Sequence, residues 1–143
     1  MDLPLRGHTI LKLIPQRFPI VMVDALLDYS TTTVWSELEV KVDNVFLEDK
    51  ILQESGLLEH MAQTVALHTG YSFFIRNEEA PTGYIGAIQK AEIMKLPQLG
   101  DVIQSKAEML QEFMGVTLVD ICAYVNDQIV ATAQMKTVIA STA

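Results

Sequence analysis

The sequence has few of the residues that stabilise secreted domains or bind nucleic acids. It contains one cysteine, Cys122, in 143 residues, so no intramolecular disulfide can form. Ten basic residues stand against 18 acidic ones, which gives a net charge of -8. Without an excess of Lys and Arg there is little to displace counterions from a phosphate backbone. These scarcities exclude a disulfide scaffold and argue against nucleic acid as a partner.

Long hydrophobic runs are also missing. Polar residues interrupt every apolar stretch well before the roughly 20 residues that a membrane-spanning helix needs. Residues 1–8 lack the basic and apolar regions of a secretory signal peptide. We therefore predict no membrane span and a cytoplasmic location, in which a buried, unpaired thiol at Cys122 is ordinary.

Linkers and repeats are absent as well, because the five prolines and seven glycines are scattered and no low-complexity tract divides the chain. A length of 143 residues with 50% hydrophobic content suits one compact domain with a single core. We therefore predict one domain over residues 1–143. Arg6, Lys12 and Arg17 form either a small patch for an anionic partner or an ordinary solvated surface.

The apolar pattern predicts a sheet and one main helix. Alternation and β-branched content predict strands over 20–23, 34–42, 83–94, 102–113, 116–125 and 129–139. Met114-Gly115 and Asn126-Asp127 fall at breaks between the last strands, and Asn-Asp is a good hairpin turn. A short helix over 8–14 is expected to end at Pro15.

The main helix is predicted to start with Ser55 as its N-cap and either to end at Gly70 or to continue to Ile75. Apolar residues occupy most of its circumference, so the helix should be covered on most sides. The predicted fold class is α+β, in which an antiparallel sheet wraps one central helix.

Glu59 lies near the start of this helix, where burying its charge would be costly unless the carboxylate is paired, neutralised or used. Catalysis is the most economical explanation, and a salt-bridged interface carboxylate is the alternative. Gln63 lies one turn further along the same face, where it could satisfy backbone groups or hold Glu59 in place.

Three histidines could serve as a base. His60 diverges from Glu59 by about 100° around the helix, which favours a packing or interface role over a catalytic one. His8 could be solvated or reach a site across a dimer, and His68 is expected to be structural. The sequence shows no nucleophile triad, no metal-ligand spacing and no phosphate-binding loop. No metal and no cofactor are therefore expected.

Three motifs in order resemble a known family. Residues 13–24, LIPQRFPIVMVD, are similar to an "LPHRxPxLLVDR" opening with Gln16 in place of its histidine, and residues 58–63, LEHMAQ, are similar to "LEAMAQ". Residues 85–87 and 97–101, IGA and PQLGD, are similar to a substrate-lining strand and a "PxxPGD" turn. Together they resemble the hot-dog-fold 3-hydroxyacyl-acyl-carrier-protein dehydratases of the FabA/FabZ type. The altered loop before the helix resembles a divergent branch associated with aryl polyene clusters.

The resemblance implies a catalytic role for Glu59 and substrate contacts for Gln63, Gly86 and Ala87. The family's second catalytic residue, a histidine in a "GHFP" loop, has no counterpart in residues 44–53. His60 is the candidate for a borrowed base.

The family's "PGV", which donates a backbone N–H to the substrate carbonyl, is also missing. Gly56 is an approximate substitute for it. The N–H groups near Gly56 and Leu57, at the positive end of the helix, are expected to stabilise a developing enolate.

The expected function is dehydration of a (3R)-hydroxyacyl thioester of acyl carrier protein or CoA, in fatty-acid or polyene biosynthesis. The resemblance implies a homodimer or higher oligomer. One alternative is an acyl thioesterase in which Glu59 activates water. The other is a non-catalytic or half-catalytic subunit that forms a heterodimer with a second hot-dog subunit, which supplies the histidine.

Overall fold

The computed structural model describes residues 3–139, in which a seven-stranded antiparallel sheet wraps around a long helix and two short strands form a separate pair. A 3₁₀ helix covers Gly7–Lys12 and the α-helix α1 covers Glu54–Phe74. The strands are β1 (Leu5–Arg6), β2 (Ala25–Tyr29), β3 (Thr33–Glu39), β4 (Leu47–Glu48), β5 (Ile51–Leu52), β6 (Gly83–Ile93), β7 (Val102–Phe113), β8 (Val116–Val125) and β9 (Gln128–Ile139). Seven of them form a sheet in the order β1-β2-β3-β7-β8-β9-β6, and β4 pairs with β5.

The C-terminal strands follow directly from alternation and turn chemistry. Asn126 and Asp127 have φ of 50° and 62°, and Met114 and Gly115 have φ of 51° and 81°. Two consecutive positive φ values are those of a type I′ turn, which matches the twist of paired strands. The predicted strands 102–113 and 116–125 are confirmed with those bounds, and the others at this end differ by one residue.

The core lies between the inner face of the sheet and α1. On β7, Ile103, Ser105 and Ala107 are fully buried, while Gln104 and Lys106 between them are partly exposed. This is the two-residue period of a sheet that is wet on one face. The predicted fold class, an antiparallel sheet around one central helix, is confirmed.

The strand predicted over Ile20–Val23 is wrong, because side chains of α1 take its backbone hydrogen bonds. The Met22 N–H donates to Oε1 of Gln63 at 2.6 Å, and the Ile20 carbonyl accepts from Nε2 of Gln63 at 2.8 Å. A segment whose main-chain groups are bonded to a helix has none left for a sheet neighbour. The first strand of the hairpin is β2 instead.

The predicted start of α1 also needs correction. The N-cap is Gln53, which makes no side-chain capping bond, and Ser55 lies inside the first turn. Of the two predicted C-terminal ends, the longer one is confirmed to within one residue, because the helix passes Gly70 and continues to Phe74. The short helix expected over 8–14 is a 3₁₀ helix that ends at Lys12.

Gly70 remains in the helix because another segment passes directly against it. A Cβ at this position would lie 1.8 Å from the carbonyl oxygen of Leu13. The missing side chain lets the backbone after the 3₁₀ helix rest on α1. This contact anchors the segment 11–17 beside the helix.

Replacing Gly70 by Ala is expected to destabilise the fold by about 3 kcal/mol. Alanine would raise helix propensity by about 1 kcal/mol, but its methyl group would displace the Leu13 carbonyl. Urea unfolding measures the difference, with Ser55→Ala, an exposed site on the same helix, as the control. A Gly70→Ala protein as stable as the parent would contradict this packing.

Within residues 3–139, no helix is both long enough and apolar enough to cross a lipid bilayer.

Candidate active site

A cavity of about 530 Å³ runs along one side of α1. Its inner wall is the helix face from Glu59 to Gly70, and its other walls are segment 11–17, residues 79–85 and residues 137–139. Residues 79–85 include the first residues of β6, the last strand of the sheet. The cavity therefore lies between the central helix and one edge of the sheet, with Glu59 as a titratable group on its wall.

Gln63 fixes the orientation of Glu59. Because the Met22 N–H can only donate, Oε1 of Gln63 must be the atom that accepts from it. Nε2 of Gln63 then donates to the Ile20 carbonyl and to Oε2 of Glu59, each at 2.8 Å. The fully buried Gln63 side chain thus connects the backbone of residues 20–22 to the carboxylate.

The Glu59 carboxylate is held but not neutralised by a cation. Within residues 3–139 the ion pairs join Arg6 to Glu37 and Arg76 to Glu78, so Glu59 takes part in no described ion pair. Its Oε2 accepts the bond from Gln63, which leaves Oε1 to exchange a proton with a bound molecule. This geometry suits a general acid or base.

His60 lies on another face of the helix and does not line the cavity. It is fully buried, with Nδ1 2.7 Å from the carbonyl oxygen of Met22 and Nε2 2.8 Å from Oγ of Ser105. A carbonyl oxygen only accepts, so Nδ1 carries the proton and Nε2 accepts from the Ser105 hydroxyl. Burial lowers the pKa of His60 to about 4, against the opposing effect of the Met22 carbonyl.

The other two histidines also lie away from this cavity. Nε2 of His68 is 2.9 Å from the Ser30 carbonyl oxygen, and its ring stacks on Tyr29 at 4.9 Å. Burial lowers the pKa of His68. His8 is exposed on the 3₁₀ helix. All three histidines of the sequence are among the described residues, so no imidazole of this chain lines the cavity with Glu59.

Gly56 and Leu57 are not brought to the cavity either. Both N–H groups donate to the Gln53 carbonyl, at 3.0 and 3.1 Å. Gly56 packs beneath Phe46, whose Cβ would lie 2.4 Å from an added methyl group. The chain by itself therefore does not offer these two N–H groups to a substrate carbonyl.

Gly86 and Ala87 lie close to the cavity but outside its wall. Residues 83–85 of the same strand line it, and the register with β9 shifts between Ile85 and Ala87. The cavity wall uses the same strand, one to three residues before Gly86. Their role as substrate contacts stays a prediction.

The segment 11–17 is the part of the cavity wall that no sequence pattern places beside Glu59, although Lys12 and Arg17 were named as a possible patch for an anionic partner. It contributes Gln16, Arg17 and Lys12 to the wall, although the first of the three family-like motifs covers residues 13–24. The signal was therefore present, as a polar Gln-Arg pair after Pro15. Nothing in the local sequence shows that this turn lies against a helix more than 40 residues further along the chain.

Comparison with protein families identifies the class of the molecule. The family model described as ApeP-like, ApeP dehydratase, matches residues 8–142. The chain belongs to this family. The predicted relationship to a divergent hot-dog dehydratase of the aryl-polyene type is therefore confirmed.

Curated relatives with detectable sequence similarity include proteins named 3-hydroxyacyl-[acyl-carrier-protein] dehydratase FabZ. The protein from Shewanella pealeana is 26% identical over 136 residues, which cover 88% of this chain and 86% of the relative. The protein from Vibrio cholerae is 27% identical over 130 residues, covering 87% and 84%. These relatives favour a dehydratase-like function for an ApeP-like protein over the thioesterase alternative.

Solved structures confirm the fold. A chain of the dehydratase heterocomplex ApeI:P from Xenorhabdus doucetiae aligns with a TM-score of 0.87 at 17% identity, covering 99% of this chain and 94% of that one. An uncharacterized protein from Pyrococcus horikoshii aligns with a TM-score of 0.69 at 14% identity, covering 99% and 97%.

Proposed function

We propose that this chain supplies Glu59 as the acid–base carboxyl of a site that dehydrates 3-hydroxyacyl thioesters. The observation that carries the proposal is a carboxylate oriented by Gln63 in the wall of a cavity of about 530 Å³. The ApeP-like family match and the FabZ relatives support this reaction class. The substrate chain would lie along the face of α1 between Glu59 and Gly70.

The reaction needs two proton transfers. A base removes the C2 proton, whose bonding electrons form the C2=C3 double bond, and the C3–O bond breaks as the hydroxyl takes a proton and leaves as water. Glu59 can perform one transfer, and in this family type a histidine commonly performs the other. Because no histidine of this chain lines the cavity, we propose that a second hot-dog subunit supplies it.

The edge strand β6 is the surface that fits this subunit. It ends the described sheet, and Tyr84, Ile85 and Ile88 on it are 60%, 39% and 45% exposed. An apolar edge strand is a template for pairing with another chain. Because residues 83–85 also line the cavity, a subunit paired along β6 would lie beside Glu59.

Two cations of the cavity wall can contact an anionic carrier, although Glu59 and Glu79 on the same wall balance their charge. Lys12 and Arg17 lie there, and the phosphates of CoA and of the carrier-protein prosthetic arm are negatively charged. Cations beside an opening raise the local concentration of anionic ligands. We therefore include acyl carrier protein or CoA thioesters as the substrate class.

The chain alone is expected to hydrate crotonyl thioesters at least about 100-fold more slowly than the chain assembled with a hot-dog subunit that carries a GHFP histidine, because one of two acid–base groups is missing. The measurement co-expresses the two subunits from the same source genome and compares kcat/KM with each alone. Thioester hydrolysis is followed in parallel to test the thioesterase alternative.

Two controls separate the possible sources of the histidine. Replacing the partner's GHFP histidine by Ala should abolish the gain, while His8→Gln in this chain should not. If the chain alone is fully active and His8→Gln abolishes this activity, a second copy of this chain supplies the base. If the chain alone is fully active and His8→Gln does not change this activity, the proposed requirement for a histidine from a second subunit is contradicted.

A further inference from the structure

Gln16 lies in a turn of the cavity wall whose backbone is held on both sides. Nη1 of Arg17 donates to the carbonyl oxygens of Ile14 and Gln16, at 2.8 and 2.7 Å. The preceding Leu13 rests against α1 at Gly70. The backbone is thus held on both sides of Gln16, which lines the same cavity as Glu59.

The carboxamide oxygen of Gln16 is buried and accepts no hydrogen bond. It is the buried side-chain polar atom without a partner among residues 3–139. Buried acceptors are nearly always paired in folded proteins because an unpaired one is costly. Gln16 also lines the cavity, so a rotation of its side chain brings this acceptor to a ligand that carries an O–H or N–H group.

A 3-hydroxyacyl thioester offers two kinds of donor, the 3-hydroxyl and the amide N–H groups of the pantetheine arm. The 3-hydroxyl must come close to the proton-transfer groups, because its oxygen takes up a proton as it leaves. If its own hydrogen is donated to Gln16, a lone pair of the same oxygen stays free to receive the proton from Glu59. A neutral carboxamide does not compete for that proton, since it does not titrate.

We propose that Oε1 of Gln16 accepts a hydrogen bond from the substrate's 3-hydroxyl and makes the site selective for 3-hydroxyacyl chains. This inference rests on the proposed function, because it requires acyl thioesters to bind beside Glu59. Gln16 binds and orients the leaving group, while Glu59 transfers the proton. A saturated chain without the hydroxyl leaves the acceptor unpaired and binds more weakly.

Equilibrium binding of two unreactive ligands tests the proposal. Pantetheine amides of 3-hydroxybutyric and butyric acid replace the thioester sulfur with nitrogen, so their C2 protons are too weakly acidic to be removed. The assembled protein should bind the hydroxybutyryl amide about tenfold more tightly, the contribution of one hydrogen bond. Gln16→Met, which keeps the length and removes the acceptor, should reduce this preference to within about twofold.

The control is Gln111→Met, the same change at an exposed position of β7, which should leave both affinities unchanged. Melting temperatures of the variants verify that they fold. If Gln16→Met weakens the binding of both amides equally, the group that donates to Gln16 lies on the pantetheine arm, and the proposal is overturned. A parent protein that binds both amides equally would overturn it without any variant. If the parent binds neither amide, thioester binding itself fails and the proposed function fails with it.

Discussion

Replacing Glu59 by Gln is expected to lower the dehydratase rate of the assembled protein by roughly 10²- to 10⁴-fold, the usual contribution of one general acid or base. The amide is nearly isosteric with the carboxylate but cannot take up or release a proton. Because Glu59 is only half-buried and takes part in no described ion pair, its loss leaves no uncompensated charge. The effect should therefore fall on kcat, with little change in stability.

The matched control is Glu54→Gln. Glu54 lies five residues earlier in the first turn of α1 and is exposed, so the same chemical change there should leave the rate within about twofold, as is usual for an exposed surface site. Rates are measured on crotonyl thioesters in the hydration direction, and melting temperatures are compared in parallel. A Glu59→Gln protein that keeps the parental rate would remove Glu59 from the chemistry.

The sequence was most informative where neighbouring residues decide the structure. Strands β7 and β8 were predicted to the residue, because each alternates wet and dry side chains and is bounded by turns with positive φ at Asn126, Asp127 and Gly115. The bond between Glu59 and Gln63 also follows from local geometry, since residues four apart share a helix face.

The sequence was least informative where a residue's structure depends on contacts with residues far away in the chain. Ile20–Val23 has the composition of a strand, but its backbone bonds go to Gln63 and His60, about 40 residues away. Gly70 has the residue type of a helix terminator, yet its role is to let the Leu13 carbonyl oxygen pack against the helix backbone. In both cases tertiary contacts overrode a local preference, which no window of a few residues can show.

The polar residues of α1 divide into two groups by the face they occupy. His60, Gln63 and Thr64 are fully buried, and they bond to residues 20–22, Ser105 and Ser36. Of the two acid–base candidates near the start of the helix, Glu59 and His60, only Glu59 lines the cavity. The buried group thus fixes the helix against the sheet and holds Glu59, a carboxylate of the cavity wall, in place.

Replacing His60 by Met is expected to destabilise the fold by about 3 kcal/mol at pH 7, because the change leaves the Met22 carbonyl and the Ser105 hydroxyl without their partner. Equilibrium urea unfolding measures this loss. Ser105 lies on β7, and residues 20–22 carry the bonds to Gln63, so the imidazole joins the sheet, the helix and the cavity-side segment.

The same substitution should change the response to acid. Folding lowers the pKa of His60 from 6.5 to about 4, so between these values the unfolded chain binds a proton that the folded chain does not. The parent therefore loses stability as the pH falls from 6.5 to 4, by on the order of 3 kcal/mol from this group. A methionine does not titrate, so the stability gap between parent and His60→Met should narrow over this window. A gap that stays constant from pH 7 to pH 4 would show that His60 is not held neutral, and would reopen the case for an imidazole that exchanges protons.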